Sequence, residues 1–280
     1  MPPGKGAESS RIATAVVGYA TALLGEGVGR REGRAHLLRA LAIRDAVLGA
    51  SLRSEPEDVP RRILEIGIGE AFSLVSLAWT VEGQSRFHAL AHPRGDHLSL
   101  PPLARFVAET PIDFQTAQLP FEPIPWGTES FDVIVVVDVL EHLPPTDVVA
   151  FIAQVRERLD PQGVAVITSP NLSALFRIAS LVVGDGQIFD PPIALDTTGT
   201  YPHLRIYGRA DLERIVAAAG LQLVDFSFLN ALTREQVPIL GSGPKDGLAR
   251  ALQRTVPRVF SRFATTWIAV ARRGETVQPN

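Results

Sequence analysis

The chain has 280 residues, of which 46% are hydrophobic and 20% charged, with a formal net charge of −3. That length and apolar content exclude a largely disordered chain and allow one α/β domain of about 200 residues or more with an appendage. Scattered Lys and Arg give no footprint for nucleic acid or an anionic membrane, and the absence of cysteine removes disulfides, zinc–thiolate sites and cysteine nucleophiles together.

In chain order, apolar residues recur at helical spacing first through Ile12, Val16, Val17, Leu23 and Leu24, then through Leu37, Leu38, Leu41, Ile43, Val47 and Leu48. Gly25-Glu26-Gly27-Val28-Gly29 is expected to separate these two helices. After a polar linker ending at Pro60 the pattern changes. Strands are expected over 62–66, 86–91, 113–116, 131–137, 163–169, 221–229 and 266–271, with helices over 72–79, 98–109, 145–159, 209–219 and 246–254. Strands alternating with helices imply a parallel sheet built from right-handed crossovers. The runs Val133–Val137 and Val164–Ile167 are apolar throughout, as central strands buried on both faces are. Asn171 to Tyr201 breaks the rhythm with several glycines and prolines, and a connection of that length is expected to be a lid or binding loop. No stretch approaches the ~18 consecutive apolar residues of a membrane span, and a cytoplasmic protein is expected.

The segment Arg62-Ile63-Leu64-Glu65-Ile66-Gly67-Ile68-Gly69-Glu70-Ala71 is an apolar strand running into a Gly-x-Gly turn, followed by a helix from Phe72. Glycines there let the main chain turn tightly and approach a ligand, which marks a nucleotide-type site. The dinucleotide pattern G-x-G-x-x-G would need a third glycine at Phe72, so a nicotinamide-dependent oxidoreductase is disfavoured. Glu65, an acid beside the turn, suits an amino-bearing ligand. Capping of the following turn is the rival reading of that residue.

Three further blocks follow. Ser130-Phe131-Asp132 opens a buried strand whose carboxyl end delivers Asp138, Glu141 and His142. Leu159-Asp160-Pro161-Gln162-Gly163 launches the next strand, which ends in Thr168-Ser169-Pro170-Asn171, and His203-Leu204-Arg205-Ile206-Tyr207 precedes a helix. In this order the four blocks resemble a class I S-adenosylmethionine-dependent methyltransferase of the small-molecule type, over roughly residues 60 to 272. The resemblance implies an α/β, three-layer Rossmann-like methyltransferase sheet of order 3-2-1-4-5-7-6 with strand 7 antiparallel. It implies S-adenosyl-L-methionine as cofactor and divides the chain into an N-terminal helical cap (1–58), the methyltransferase domain (59–272, with 171–201 a lid-like insertion) and a flexible tail (273–280). The expected partners are a small-molecule acceptor and, for assembly, a homodimer, with neither nucleic acid nor membrane.

By the same resemblance Glu65, Gly67 and Gly69 would hold the methionine part of the cofactor, and Asp138 is a further expected cofactor-binding residue. The family's acid at the end of the second strand is missing, since Ala91 and His92 stand there, and Gln118 stands where an Asp or Asn often meets the adenine. His92 and Gln118 are the expected substitutes, both able to exchange hydrogen bonds. Each lost ligand hydrogen bond would cost about 0.5 to 3 kcal/mol, which keeps open a catalytically degenerate binding or partner protein of the same fold.

His142 and His203 are the candidate general bases, because an imidazole titrating near neutrality can take a proton from a hydroxyl. The alternatives are a helix-start role for His142 and packing against Arg205 or Tyr207 for His203. No metal is expected, although Asp138, Glu141 and His142 form the D-x-x-E-H set that some similar quinone-biosynthesis O-methyltransferases use for one. Trp126, Phe176, Phe189 and Tyr201 are candidates to line the acceptor pocket. The expected reaction is methyl transfer to a small-molecule hydroxyl.

Overall fold

The computed structural model describes residues 5–51, 61–69, 71–80, 85–93, 101–182, 203–231 and 244–274. Seven strands form one sheet: β1 (Arg61–Ile66), β2 (Ser85–Ala91), β3 (Ile112–Thr116), β4 (Phe131–Val137), β5 (Leu159–Pro170), β6 (Leu221–Leu229) and β7 (Thr266–Arg273). Their order is β3-β2-β1-β4-β5-β7-β6. Pairing is parallel from β3 to β5, and β7 runs antiparallel to both β5 and β6. The expected order and the reversed seventh strand are both present.

Eight helices accompany the sheet among the described residues: α1 (Lys5–Leu24), α2 (Glu26–Ser51), α3 (Phe72–Thr80), α4 (Pro101–Glu109), α5 (Val148–Arg158), α6 (Leu175–Val182), α7 (Arg209–Ala218) and α8 (Pro244–Val259). Successive side chains of a strand point to opposite faces, so the central strands must be apolar at every position. Ile63, Val133, Val135, Val164, Val166, Ile268 and Val270 pack on one face against Leu74 and Leu77 of α3 and Ile43 and Val47 of α2. On the other face Leu64, Ile66, Ile134, Val136, Ala165, Ile167 and Trp267 meet Phe151, Ile152 and Val155 of α5 and Leu212 and Val216 of α7. The two faces make three layers. α1 adds Ile12, Val16 and Ala20 against Phe72 and Val75 of α3.

Two local expectations change. The glycine-rich separator shrinks to Gly25 alone, whose φ of +79° and N–H bond to the Thr21 carbonyl (3.0 Å) end α1. Gly27 and Gly29 lie inside α2, where each glycine costs about 1 kcal/mol relative to alanine. The irregular stretch expected from Asn171 opens with helix α6, and its residues 183–201 lie outside the described residues.

Trp126 does not line a pocket at the carboxyl edge. It packs edge-on against His88 and Phe131 at ring distances of 5.3 and 5.8 Å, and its indole Nε1–H donates to Asp113 Oδ2 at 2.6 Å. These contacts lie toward the amino-terminal half of the sheet. Trp126→Phe keeps the ring contacts and loses that bond, for an expected loss of about 1 kcal/mol in urea unfolding with unchanged ligand binding. Phe176 is buried, and its backbone N–H donates to Gln253 Oε1 of α8 at 2.9 Å. Phe189 and Tyr201 lie outside the described residues. No helix among the described residues is long and apolar enough to cross a membrane.

Candidate active site

The carboxyl ends of β1, β4 and β5 lie side by side, and polar contacts join the segment after β4 to β5 and to α2. Gly67, the first residue after β1, has a φ of +81°, a conformation that L side chains rarely adopt. A Cβ there would collide with the Val137 carbonyl and with Val139 Cγ2, so glycine is what lets the turn close against β4. Gly69 is also left-handed, but a Cβ on it would have nothing nearer than the Gly67 carbonyl at 3.9 Å. A side chain at Gly69 would therefore meet no clash, and only its backbone conformation favours glycine. Ala71, where the family's third glycine is common, takes a φ of +60° and is fully buried.

Glu65 is 1% exposed, and neither carboxylate oxygen has a hydrogen-bond partner. Burial pushes its carboxyl up to about 8, with the Arg39 guanidinium pulling in the opposite direction. Arg39 lies on α2 and forms an ion pair with Asp138 Oδ2. Its Nη2 also lies 3.4 Å from Thr168 Oγ1, while the Thr168 hydroxyl donates to Asp138 Oδ1 at 3.0 Å. Asp138 thus receives one oxygen contact from α2 and one from β5.

Glu141 sits in a 3-10 turn, Leu140–His142, immediately after β4. It is fully buried, and its carboxyl is held well above the usual range by burial and by the nearby Asp138 charge. The Ser169 hydroxyl donates to Oε2 at 3.1 Å, whereas Oε1 has no hydrogen-bond partner. The Glu141 carbonyl accepts the N–H groups of Leu204 (2.7 Å) and Arg205 (3.3 Å). Those two bonds fasten His203 beside His142, with ring centroids 4.8 Å apart. Both histidines are half-buried.

His92 and Gln118 reach the same edge of the sheet on the other side of β1. His92 is half-buried just beyond β2, and Gln118 is exposed just beyond β3 with its N–H donating to Glu122 Oε2 at 2.6 Å. The two turns run side by side, since the Ala117 N–H donates to the Ala91 carbonyl at 3.1 Å. One set of residues, Glu65, Asp138, Glu141, His142 and His203, therefore clusters over β1, β4 and β5. The other, His92 and Gln118, lies apart from it beyond the glycine turn.

Two residues of this site were not singled out from the sequence. Arg39 and His36 both lie on α2; His36 stacks on Phe72 with ring centroids 4.3 Å apart. Burial and the neighbouring Arg39 cation lower the His36 imidazole to about 4. The signal was present: Arg39, Ile43 and Val47 follow i, i+4, i+8, and His36, Ala40, Ile43 and Val47 follow i, i+4, i+7, i+11. A cation and an imidazole in line with a buried helix stripe mark polar groups delivered to an interior site.

A three-layer sheet of this order, with a glycine turn after β1 and acids at the carboxyl ends of β1 and β4, defines a class I S-adenosylmethionine-dependent methyltransferase. A family model described as a methyltransferase domain matches residues 35–225, and the chain belongs to that family. S-adenosylmethionine is the cofactor of this class, and the residues present fit its methionine part: the partnerless buried Glu65 carboxylate offers what an ammonium group needs.

Solved structures share the fold. The chain is similar to the CcbJ methyltransferase of Streptomyces caelestis (17% identity over 83% of this chain and 90% of that one, TM-score 0.52). It is similar to an S-adenosylmethionine-dependent methyltransferase of Mesorhizobium loti (20% identity, 82% and 100% covered, TM-score 0.50). It is also similar to the magnesium protoporphyrin IX methyltransferase ChlM of Synechocystis PCC 6803 with bound SAH (14% identity, 97% and 95% covered, TM-score 0.52). No curated protein sequence matches the chain.

Proposed function

We propose that this protein transfers the methyl group of S-adenosylmethionine to a hydroxyl oxygen of a small organic acceptor. The observation that carries the acceptor half of this reading is the His142–His203 pair, half-buried and 4.8 Å apart beside the carboxyl end of β4. S-adenosylmethionine, when bound, supplies an electrophilic methyl on a sulfonium.

The chain's own residues have separable tasks. Glu65 accepts the ammonium of the methionine part, and Arg39, whose charge acts directly on Glu65, complements its carboxylate. Gly67 and Gly69 present main chain without a Cβ in the way. His92 and Gln118, on the far side of the turn, suit the adenosine part. Asp138 orients Arg39 through their ion pair. At the acceptor, an imidazole of the His142–His203 pair takes the hydroxyl proton on a ring nitrogen. A small acceptor accords with the Synechocystis protein of similar fold, which is described as acting on magnesium protoporphyrin IX and carries bound SAH.

Calorimetric titration with S-adenosylhomocysteine, followed by transfer assays on a panel of phenols and sugar hydroxyls, tests the reading. Saturable binding with turnover on a hydroxyl acceptor is expected, and His203→Ala should lower turnover at neutral pH by about 100-fold or more with little change in cofactor affinity. No heat and no thermal shift at millimolar ligand would overturn it. Binding without turnover on any hydroxyl would overturn the catalytic part.

A further inference from the structure

We propose that the exposed face of α8 is a docking surface for an anionic lipid bilayer, on which the protein sits peripherally. Residues 247–265 hold four arginines and no acid, a local charge of +4 in a chain whose net charge is −3. Over the whole sequence Lys and Arg are scattered, and the expectation of no membrane partner followed from that scatter. Helix formation lines these four up instead. Arg250, Arg254 and Arg258 follow i, i+4, i+8 along α8, and Arg262 follows in the 3-10 turn Ser261–Phe263.

The two sides of α8 differ. Gln253 and Pro257 are buried, and the Gln253 side chain accepts the Phe176 N–H at 2.9 Å and donates to Asn230 Oδ1 at 3.0 Å and to the Phe263 carbonyl at 2.8 Å. On the opposite side Arg254 and Arg258 form one exposed line, and Leu252 and Val259, seven residues apart, form another, with the small exposed residues Ala251 and Thr255 between them. Val259 is 75% exposed, and Phe260, just past the helix, is 54% exposed.

Guanidiniums beside bare apolar tips fit a bilayer surface. An arginine fork pairs with lipid phosphate while its stem lies along apolar surface, and Leu252, Val259 and Phe260 can then enter the acyl boundary. Nucleic-acid phosphates would use the arginines and leave those three apolar side chains in water. The face is also placed for function. α8 joins β6 to β7 and packs mainly on α6 and the Ser261–Phe263 turn. Asn171, two residues beyond the Ser169 that meets Glu141, donates from its side chain to the Arg262 and Ala264 carbonyls, each at 2.8 Å. The carboxyl end of α8 therefore stands at the same edge of the sheet as the His142–His203 pair.

Co-sedimentation of the full chain with vesicles tests the surface, and no readout depends on methyl transfer. At about 0.1 M NaCl, vesicles of about 70% phosphatidylcholine and 30% phosphatidylglycerol should bind at least tenfold more tightly than phosphatidylcholine alone, and about 0.5 M NaCl should release the protein. Arg254→Gln with Arg258→Gln should weaken binding about 20-fold, since each basic residue near an anionic surface contributes about fivefold. Val259→Ser with Phe260→Ser should weaken it about tenfold. An unchanged thermal unfolding midpoint reports that both pairs are folded. Absence of binding to the anionic vesicles, equal binding to the neutral ones, or unchanged affinity in either pair overturns the proposal. Duplex DNA or polyglutamate bound more tightly than the anionic vesicles also overturns it, in favour of a nucleic acid or an acidic protein.

Discussion

Replacing Glu65 by glutamine is expected to weaken S-adenosylhomocysteine binding by about 10- to 100-fold while leaving the folded protein as stable as the parent or more so. The ligand loss follows from removing a charge-assisted contact to an ammonium, about 1.5–3 kcal/mol. The stability gain follows from the burial of an acid whose oxygens have no partner in the ligand-free chain. Burial raises this carboxyl from an ordinary 4.5 to about 8. The folded chain therefore keeps a proton that the unfolded chain has lost, so the Glu65 contribution to stability falls as pH rises from about 4.5 to about 8, with a slope of about 1.4 kcal/mol per pH unit at most. Thermal unfolding of the glutamine variant should lack that slope. Binding of the ammonium ligand ionises Glu65, so complex formation at pH 7 should release close to one proton, and above pH 9 close to none. Calorimetry in two buffers of different ionisation enthalpy measures that number. No proton release at pH 7, or unchanged affinity in the variant, would remove Glu65 from the cofactor site.

The residues of that prediction were legible in the sequence because they are contiguous. A strand, an acid and a glycine turn occupy ten adjacent positions, and burial on both faces makes β4 and β5 continuous apolar runs. The edge strand β3 carries a weaker pattern because none of its five residues is buried. Strand order came from the resemblance, since a run of apolar residues does not say which neighbour it pairs with. The start of α2 was misplaced because closely spaced glycines read as a break, whereas a helix tolerates single glycines at about 1 kcal/mol each. Arg39 was missed for a related reason. Its partner Thr168 lies 129 residues away, and no local pattern says that α2 crosses the carboxyl end of β5. Thr168 and Ser169 were visible as part of a block, but their task of holding Asp138 and Glu141 becomes visible only when β4 and β5 are paired.

Arg39→Met should cost about 3 kcal/mol in urea unfolding at pH 7 to 8, the largest effect expected of a single substitution in this site. The guanidinium pairs with Asp138, both side chains being largely buried, and it lowers the carboxyls of Glu65 and Glu141. A neutral side chain leaves Asp138 uncompensated beside the two buried acids Glu65 and Glu141 in a region of low dielectric, and breaking a buried pair costs far more than the pair contributes. Arg39→Met with Asp138→Asn removes both charges, and the double variant should recover to within about 1 kcal/mol of the parent. The single variant's deficit should shrink as pH falls, because protonating acids whose folded values are raised relieves the repulsion, and it should be greatest above pH 8. Arg39→Lys should recover part of the stability, since it restores the charge without the planar fork. A deficit below about 0.5 kcal/mol, or a double variant no more stable than the single one, would show that Arg39 does not hold these acids together. If the deficit appears as expected, the Arg39–Asp138 ion pair couples α2 to the cofactor site. A ligand whose carboxylate adds a contact to Arg39 would then tighten α2, and hydrogen exchange along residues 36–47 should be slower with S-adenosylhomocysteine than without it.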